Sequence, residues 1–208
     1  MLKKAVIIDL DGTLIYKNTF KEFLKFIGIE AIKVFRLDIA LGIFLFVLFR
    51  KMRFISHKSM KFHVLKISQS LTSVKKMEYF SKRLLVWINA CVIEKVEYYK
   101  QNGYFIYLST AAPICYAKWI GKHLRFNGVL ATPMPCDKWE ENIREKKKDN
   151  TLVYLIHQNA SLEILLTDHY DDVPLLSVPK ERNYIVNPSL KTINMLNEYH
   201  IEYVLLEN

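Results

Sequence analysis

The sequence predicts an α/β protein: a parallel sheet with helices on both faces, and an all-helical cap inserted after the first strand. Three observations carry this. Short apolar runs of strand length end abruptly in polar or acidic residues. From residue 86 onward such runs alternate with helical stretches, as a parallel sheet requires. Between residues 29 and 85 apolar residues recur at helical intervals, with no alternating strand pattern among them.

The elements follow in order. Lys3 to Asp9 reads as a buried strand, and Asp11-Gly12-Thr13 turns the chain. From Thr19 to Ile27, Phe20, Phe23, Leu24 and Ile27 share a helical face. Leu65, Leu71, Met77, Phe80 and Leu84 continue helical spacing up to about Leu85. Val86 to Gln101 reads as a helix stopped by Asn102-Gly103. Tyr104 to Leu108 is a strand ending in Ser109-Thr110, Pro113 to Leu124 a helix, and Val129 to Ala131 a short strand. Thr151 to Asn159 is helical, Leu162 to Thr167 a strand ending in Asp168, and Tyr184 to Val186 another strand. Residues 189–206 read as a helix followed by a strand. The arrangement is Rossmann-like, with residues 1–15 and 85–208 forming the core and 16–84 the cap. Ligands of open α/β sheets bind at the carboxyl ends of the strands. The three strongest strands end in Asp9, Ser109 and Asp168, so one rim gathers polar side chains.

Composition narrows the functional classes. Half of the 208 residues are hydrophobic and a quarter charged, which is ordinary for a folded chain. No apolar, small-residue secretory signal opens the sequence. Cys91, Cys115 and Cys136 form no metal-binding spacing and read as small buried side chains of a cytoplasmic protein. The longest apolar run, Ile39 to Phe49, has eleven residues, about half a membrane span. It is expected to be either a buried helix or a membrane-surface element. Residues 33–83 hold twelve Lys or Arg against Asp38 and Glu78, so the segment carries +10 against +9 for the whole chain and the remainder is near neutral. That segment is expected to meet an anionic partner: a phosphorylated substrate, or an anionic membrane touched peripherally. No interleaved aromatic and basic ladder suggests nucleic acid.

Chemistry concentrates in Asp9-Leu10-Asp11-Gly12-Thr13. Two acids at i and i+2 beside a glycine turn suit one nucleophile and one proton carrier. With Leu108-Ser109-Thr110-Ala111-Ala112-Pro113 and Thr167-Asp168-His169-Tyr170-Asp171-Asp172, this order of motifs resembles the haloacid dehalogenase superfamily. The placement of the helical insertion resembles its phosphoserine-phosphatase-like branch. The resemblance implies Asp9 as nucleophile and Asp11 as general acid and base. It implies phosphate binding by Ser109, Thr110 and a lysine that opens a helix. Because an apolar residue commonly follows that lysine by four, Lys148 with Leu152 is the expected choice, with Lys146 and Lys147 as alternatives. It also implies Mg2+ held by Asp9, the Asp11 carbonyl and Asp168, with Asp172 supporting the metal.

Departures qualify this. Thr167 and His169 stand where many relatives carry smaller residues, and Asp171 is an extra acid. The glutamate that phosphoserine-type enzymes use after the first motif is absent from Ile15-Tyr16-Lys17-Asn18-Thr19, which disfavours phosphoserine. The expected activity is Mg2+-dependent hydrolysis of a phosphomonoester, either lipid-linked or a soluble sugar or metabolite phosphate. The alternatives are a phosphomutase or other phosphotransferase of the same superfamily, or a non-catalytic basic module that binds membrane surfaces.

Overall fold

The computed structural model describes residues 2–206. Six parallel strands form one sheet: β1 (Lys3–Ile8), β2 (Phe105–Pro113), β3 (Gly128–Thr132), β4 (Ala160–Thr167), β5 (Arg182–Val186) and β6 (Val204–Leu206), in the order β3-β2-β1-β4-β5-β6. β1 is therefore central, flanked by β2 and β4. Its side chains alternate between two cores. Val6 and Ile8 pack with α5 (Ala90–Gln101) and α6 (Ile114–His123). Ala5 and Ile7 pack on the other face with α7 (Arg144–His157), α8 (Val173–Leu176) and α9 (Leu190–Glu198). Because both faces are covered, the strands read as continuous apolar runs.

Between β1 and β2 the chain forms the helical cap: α1 (Thr19–Lys33), α2 (Leu37–Lys51), α3 (His57–Ser68) and α4 (Val74–Leu84). Phe23 and Phe80 of the cap pack against Tyr116 of α6, joining the cap core to one face of the sheet. The two crossings between core and cap lie side by side. Ile15 bridges Ile88, Tyr16 N–H donates to the Trp87 carbonyl at 3.0 Å, and Asn89 N–H donates to the Leu14 carbonyl at 2.9 Å.

Several boundaries differ from the sequence reading. The helix expected from Val86 starts at Ala90, because Asn89 caps it by accepting from the Cys91 and Val92 amides. The helix expected from Thr151 starts seven residues earlier, at Arg144. Only Cys115 is buried; Cys91 is half-buried, Cys136 is exposed, and all three are free thiols. Of the apolar α2, only Ile39 and Ile43 are buried. No described helix is long and apolar enough to cross a membrane.

Candidate active site

The carboxyl ends of β1 and β4 meet at a cleft of about 340 Å³. Asp9 follows β1 directly. Its amide donates to the Leu166 carbonyl of β4 at 2.9 Å, so sheet pairing fixes its backbone. The chain then turns through Gly12 at φ +77°, and a Cβ there would run into the Asp168 carboxylate. The glycine thus permits both the left-handed turn and the approach of Asp168. Thr13 donates to Asp168 at 3.2 Å. Asp11 accepts the Thr19 amide at 2.7 Å, which ties its carboxylate to the first turn of α1.

The lysine in the cleft is Lys147, not Lys148. Lys147 is 2 % exposed, and its ammonium donates to Asp9 Oδ1 and to Asp172 Oδ2, at 2.7 Å each. Thr167, the departure at the end of β4, also donates to Asp172 Oδ2 at 2.7 Å. Lys148 instead faces Glu145 at 3.6 Å, and Lys146 pairs with Glu140 at 2.6 Å, both outside the cleft. α7 turns Lys147, Thr151 and Leu155 inward at four-residue intervals.

A second placement also differs. Ser109, the expected phosphate ligand, is fully buried and shares a 2.8 Å hydrogen bond with the Thr151 hydroxyl. It does not line the cleft, whereas Thr110 and Ala111 do. Asn142 holds this strand end by donating to the Thr110 carbonyl at 3.0 Å. His169 lines the cleft and accepts the Asp171 amide on Nδ1 at 3.1 Å. Asp171 turns to Arg144 at 2.8 Å.

Sequence reasoning missed a buried ion pair beside this rim. Lys61 of α3 pairs with Glu141 from the segment before α7, and also donates to the Ala111 carbonyl at 3.2 Å. A signal was available: Lys61 sits with Leu65 and Ser68 on the inward face of α3.

The electrostatics follow from burial. The carboxylates of Asp9 and Asp172 contact the one ammonium, and Asp168 adds its charge beside them. Desolvation pushes Asp9 up to about 8, against the pull of Lys147 and helped by Asp172 and Asp168. Desolvation, with repulsion from Asp172, pushes Asp168 up to about 7. Asp11 is raised too, by burial, despite its hydrogen bonds from Thr19. Burial would lower Lys147, but Asp172 and Asp9 outweigh it and hold the ammonium charged.

No family model matches the chain, and no curated protein matches it. Solved structures do. A protein of unknown function from Bordetella pertussis Tohama I superposes with a TM-score of 0.76 at 16% identity, covering 99% of both chains. A HAD family hydrolase from Salmonella enterica serovar Typhi gives 0.63 at 12% identity, covering 97% of this chain and 72% of that one. A phosphoserine phosphatase solved as a phospho-aspartyl intermediate analogue gives 0.59 at 13%, covering 99% and 93%. The fold is haloacid dehalogenase-like.

In the haloacid dehalogenase-like fold the implied metal is magnesium, and the residues present fit it. Asp9, Asp168 and the Asp11 carbonyl offer oxygen donors only, the set a hard divalent cation takes. The raised Asp9 and Asp168 mark a surplus of buried negative charge that a cation would offset. Among the described residues no group of three or more acidic, His or Cys side chains is placed to hold a metal by itself. Magnesium is usually bound by one or two carboxylates, with water and substrate phosphate completing its shell.

Proposed function

We propose that the protein is a Mg2+-dependent phosphomonoester hydrolase that works through an aspartyl-phosphate on Asp9. One observation carries this reading: Asp9, Asp11, Asp168 and Lys147 converge on one cleft, with Asp9 held by Lys147 and Asp11 held at the start of α1. An Asp9 carboxylate oxygen attacks phosphorus, the ester P–O bond breaks, and Asp11 delivers its proton to the leaving alkoxide. Burial raises Asp11 and so favours the protonated form that this task needs. The deprotonated Asp11 then takes a proton from water as the water oxygen attacks phosphorus. That releases inorganic phosphate and regenerates Asp9. Lys147 and the Thr110 rim stabilise the phosphoryl oxygens. Bound magnesium, held by Asp9, Asp168 and the Asp11 carbonyl, would neutralise charge between the anionic nucleophile and the phosphate.

The substrate is a phosphorylated small molecule or a lipid-linked phosphomonoester. The absence of an acid in Ile15-Tyr16-Lys17-Asn18-Thr19 argues against phosphoserine. Tyr16 and Asn18 line the cleft at this segment instead.

The test is turnover of an aryl phosphate with and without Mg2+. Asp9→Asn should fall to background, and Asp11→Asn should lose about 10²–10⁴-fold in kcat. Magnesium-independent turnover that survives Asp9→Asn would refute the reading. A panel of lipid and sugar phosphates then ranks the substrate classes.

A further inference from the structure

Half of the exposed large apolar side chains among the described residues fall between residues 29 and 54. They form a surface rather than scattered singles. α2 packs its Ile39 and Ile43 side inward and turns Leu37, Leu41 and Phe44 outward, each about 60 % exposed. These positions follow the helical repeat, so they share one face. The turns at both ends extend it: Phe35 before α2 is 88 % exposed and Phe54 after it is 69 % exposed. Contiguous apolar surface of this kind marks an interaction site.

The rim of the patch identifies the occupant. Arg50, Lys51 and Arg53 close the carboxyl end of α2, exposed and with no acidic partner among the described residues. Lys33 and Arg36 lie at the other end, where Glu30 and Asp38 neutralise them. A second copy docked on this face in an antiparallel pair would meet no free acid to balance Arg50, Lys51 and Arg53. In a parallel pair it would bring those cations against their own copies. An anionic surface complements the whole rim. An apolar surface bordered by cations can seat on a lipid interface, with its apolar side chains among the acyl chains and its cations at anionic headgroups.

We propose that the outer face of α2 and its two flanking turns dock the protein on an anionic lipid surface. A turn of five residues, Met52 to Ser56, links α2 to α3. His57 opens α3, the helix whose Lys61 reaches the cleft-lining Ala111. The cationic end of the docking face is thus the end beside the candidate active site. The proposal stands apart from the catalytic reading, since it concerns binding alone.

The test is flotation of the full chain with vesicles of phosphatidylglycerol and phosphatidylcholine, and with phosphatidylcholine alone. Two variants accompany it: Leu41→Asp with Phe44→Asp, and Arg50→Glu with Lys51→Glu. All four positions are exposed, and a thermal melt checks that each variant stays folded. The expected result is binding to the anionic vesicles only, weakening as salt rises. The charge variant should lose about fivefold in partitioning for each charge removed, and the apolar variant should abolish flotation. No binding to anionic vesicles, or binding unchanged in both folded variants, overturns the proposal. A concentration-dependent dimer abolished by Leu41→Asp with Phe44→Asp, without vesicle binding, overturns it in favour of a second copy.

Discussion

Lys147 is bonded at 2.7 Å to both Asp9 and Asp172, so its charge is the local counterweight to the buried acids. Replacing it with Met leaves those acids uncompensated and removes a donor from the phosphoryl site. Steady-state kinetics on an aryl phosphate should show Lys147→Met losing about 10²–10³-fold in kcat. Lys148→Met should stay near the parent protein, because Lys148 faces Glu145 outside the cleft. The reverse ranking would move the phosphate site to the outer side of α7. Asp9 and Asp168 were legible in the sequence because acids that end apolar strands have few structural uses, and Asp11 because it forms an i, i+2 acid pair with Asp9 beside a glycine turn. The lysine was not, and the reason is a neighbour. The inward position four residues after Lys147 is Thr151, a polar residue, whereas Lys148 is followed by Leu152. The usual apolar marker therefore pointed one residue too far.

At the scale of elements, the same hydrogen bond explains two misreadings. Ser109 of β2 and Thr151 of α7 satisfy each other at 2.8 Å inside the packed interface. Paired this way, two hydroxyls can sit where apolar residues would be expected. The pairing hides the phase of α7, and it takes Ser109 out of the cleft and leaves the rim to Thr110. The cap is fastened to the core by a comparable device, the pair of Lys61 on α3 and Glu141 before α7, whose side chains are only 4% and 8% exposed. Removing one partner strands a buried charge. Glu141→Leu should therefore cost about 3–5 kcal/mol in urea unfolding, and adding Lys61→Met should recover most of it. Equal losses in the single and double variants would show that the pair contributes little beyond packing. The parallel sheet and the helical cap were legible because each strand is a short apolar run between turn signals and the cap shows only helical spacing, whereas the strand order around β1 was not read from the sequence. The Leu85–Trp87 turn and the Ile15–Ile88 bridge were not, since long-range pairing between two linkers leaves no local periodicity.

For the whole molecule, buried acids link stability to pH. Asp9 and Asp168 titrate at about 8 and about 7 when folded, against roughly 4 for an unfolded aspartate. Between those values the folded state binds more protons than the unfolded state, so stability falls as pH rises. Chelated protein should therefore lose thermal stability from about pH 5 to about pH 8, as followed by differential scanning fluorimetry. Added Mg2+ should restore more at the alkaline end, where the carboxylates are ionised. A melting temperature flat across this range without metal would show that Lys147 alone balances the cluster. The basic surplus of residues 33–83 acts at the same scale. It is concentrated on the cap, so any attraction to an anionic surface orients the molecule as well as holding it.

The central place of β1 also bears on how the chain acquires its shape. Its two neighbours, β2 and β4, begin at Phe105 and Ala160, so the middle strand of the sheet has no partner until the cap and the first core helix, α5, have been made. At an elongation rate of about 5–20 residues per second, that wait is on the order of ten seconds. The intervening helices rely on contacts close in sequence and can form meanwhile, whereas the strand that carries Asp9 must bridge long separations. The slow event in maturation would then be the closing of the sheet around β1, and the acidic rim would be completed last, when β4 arrives with Asp168.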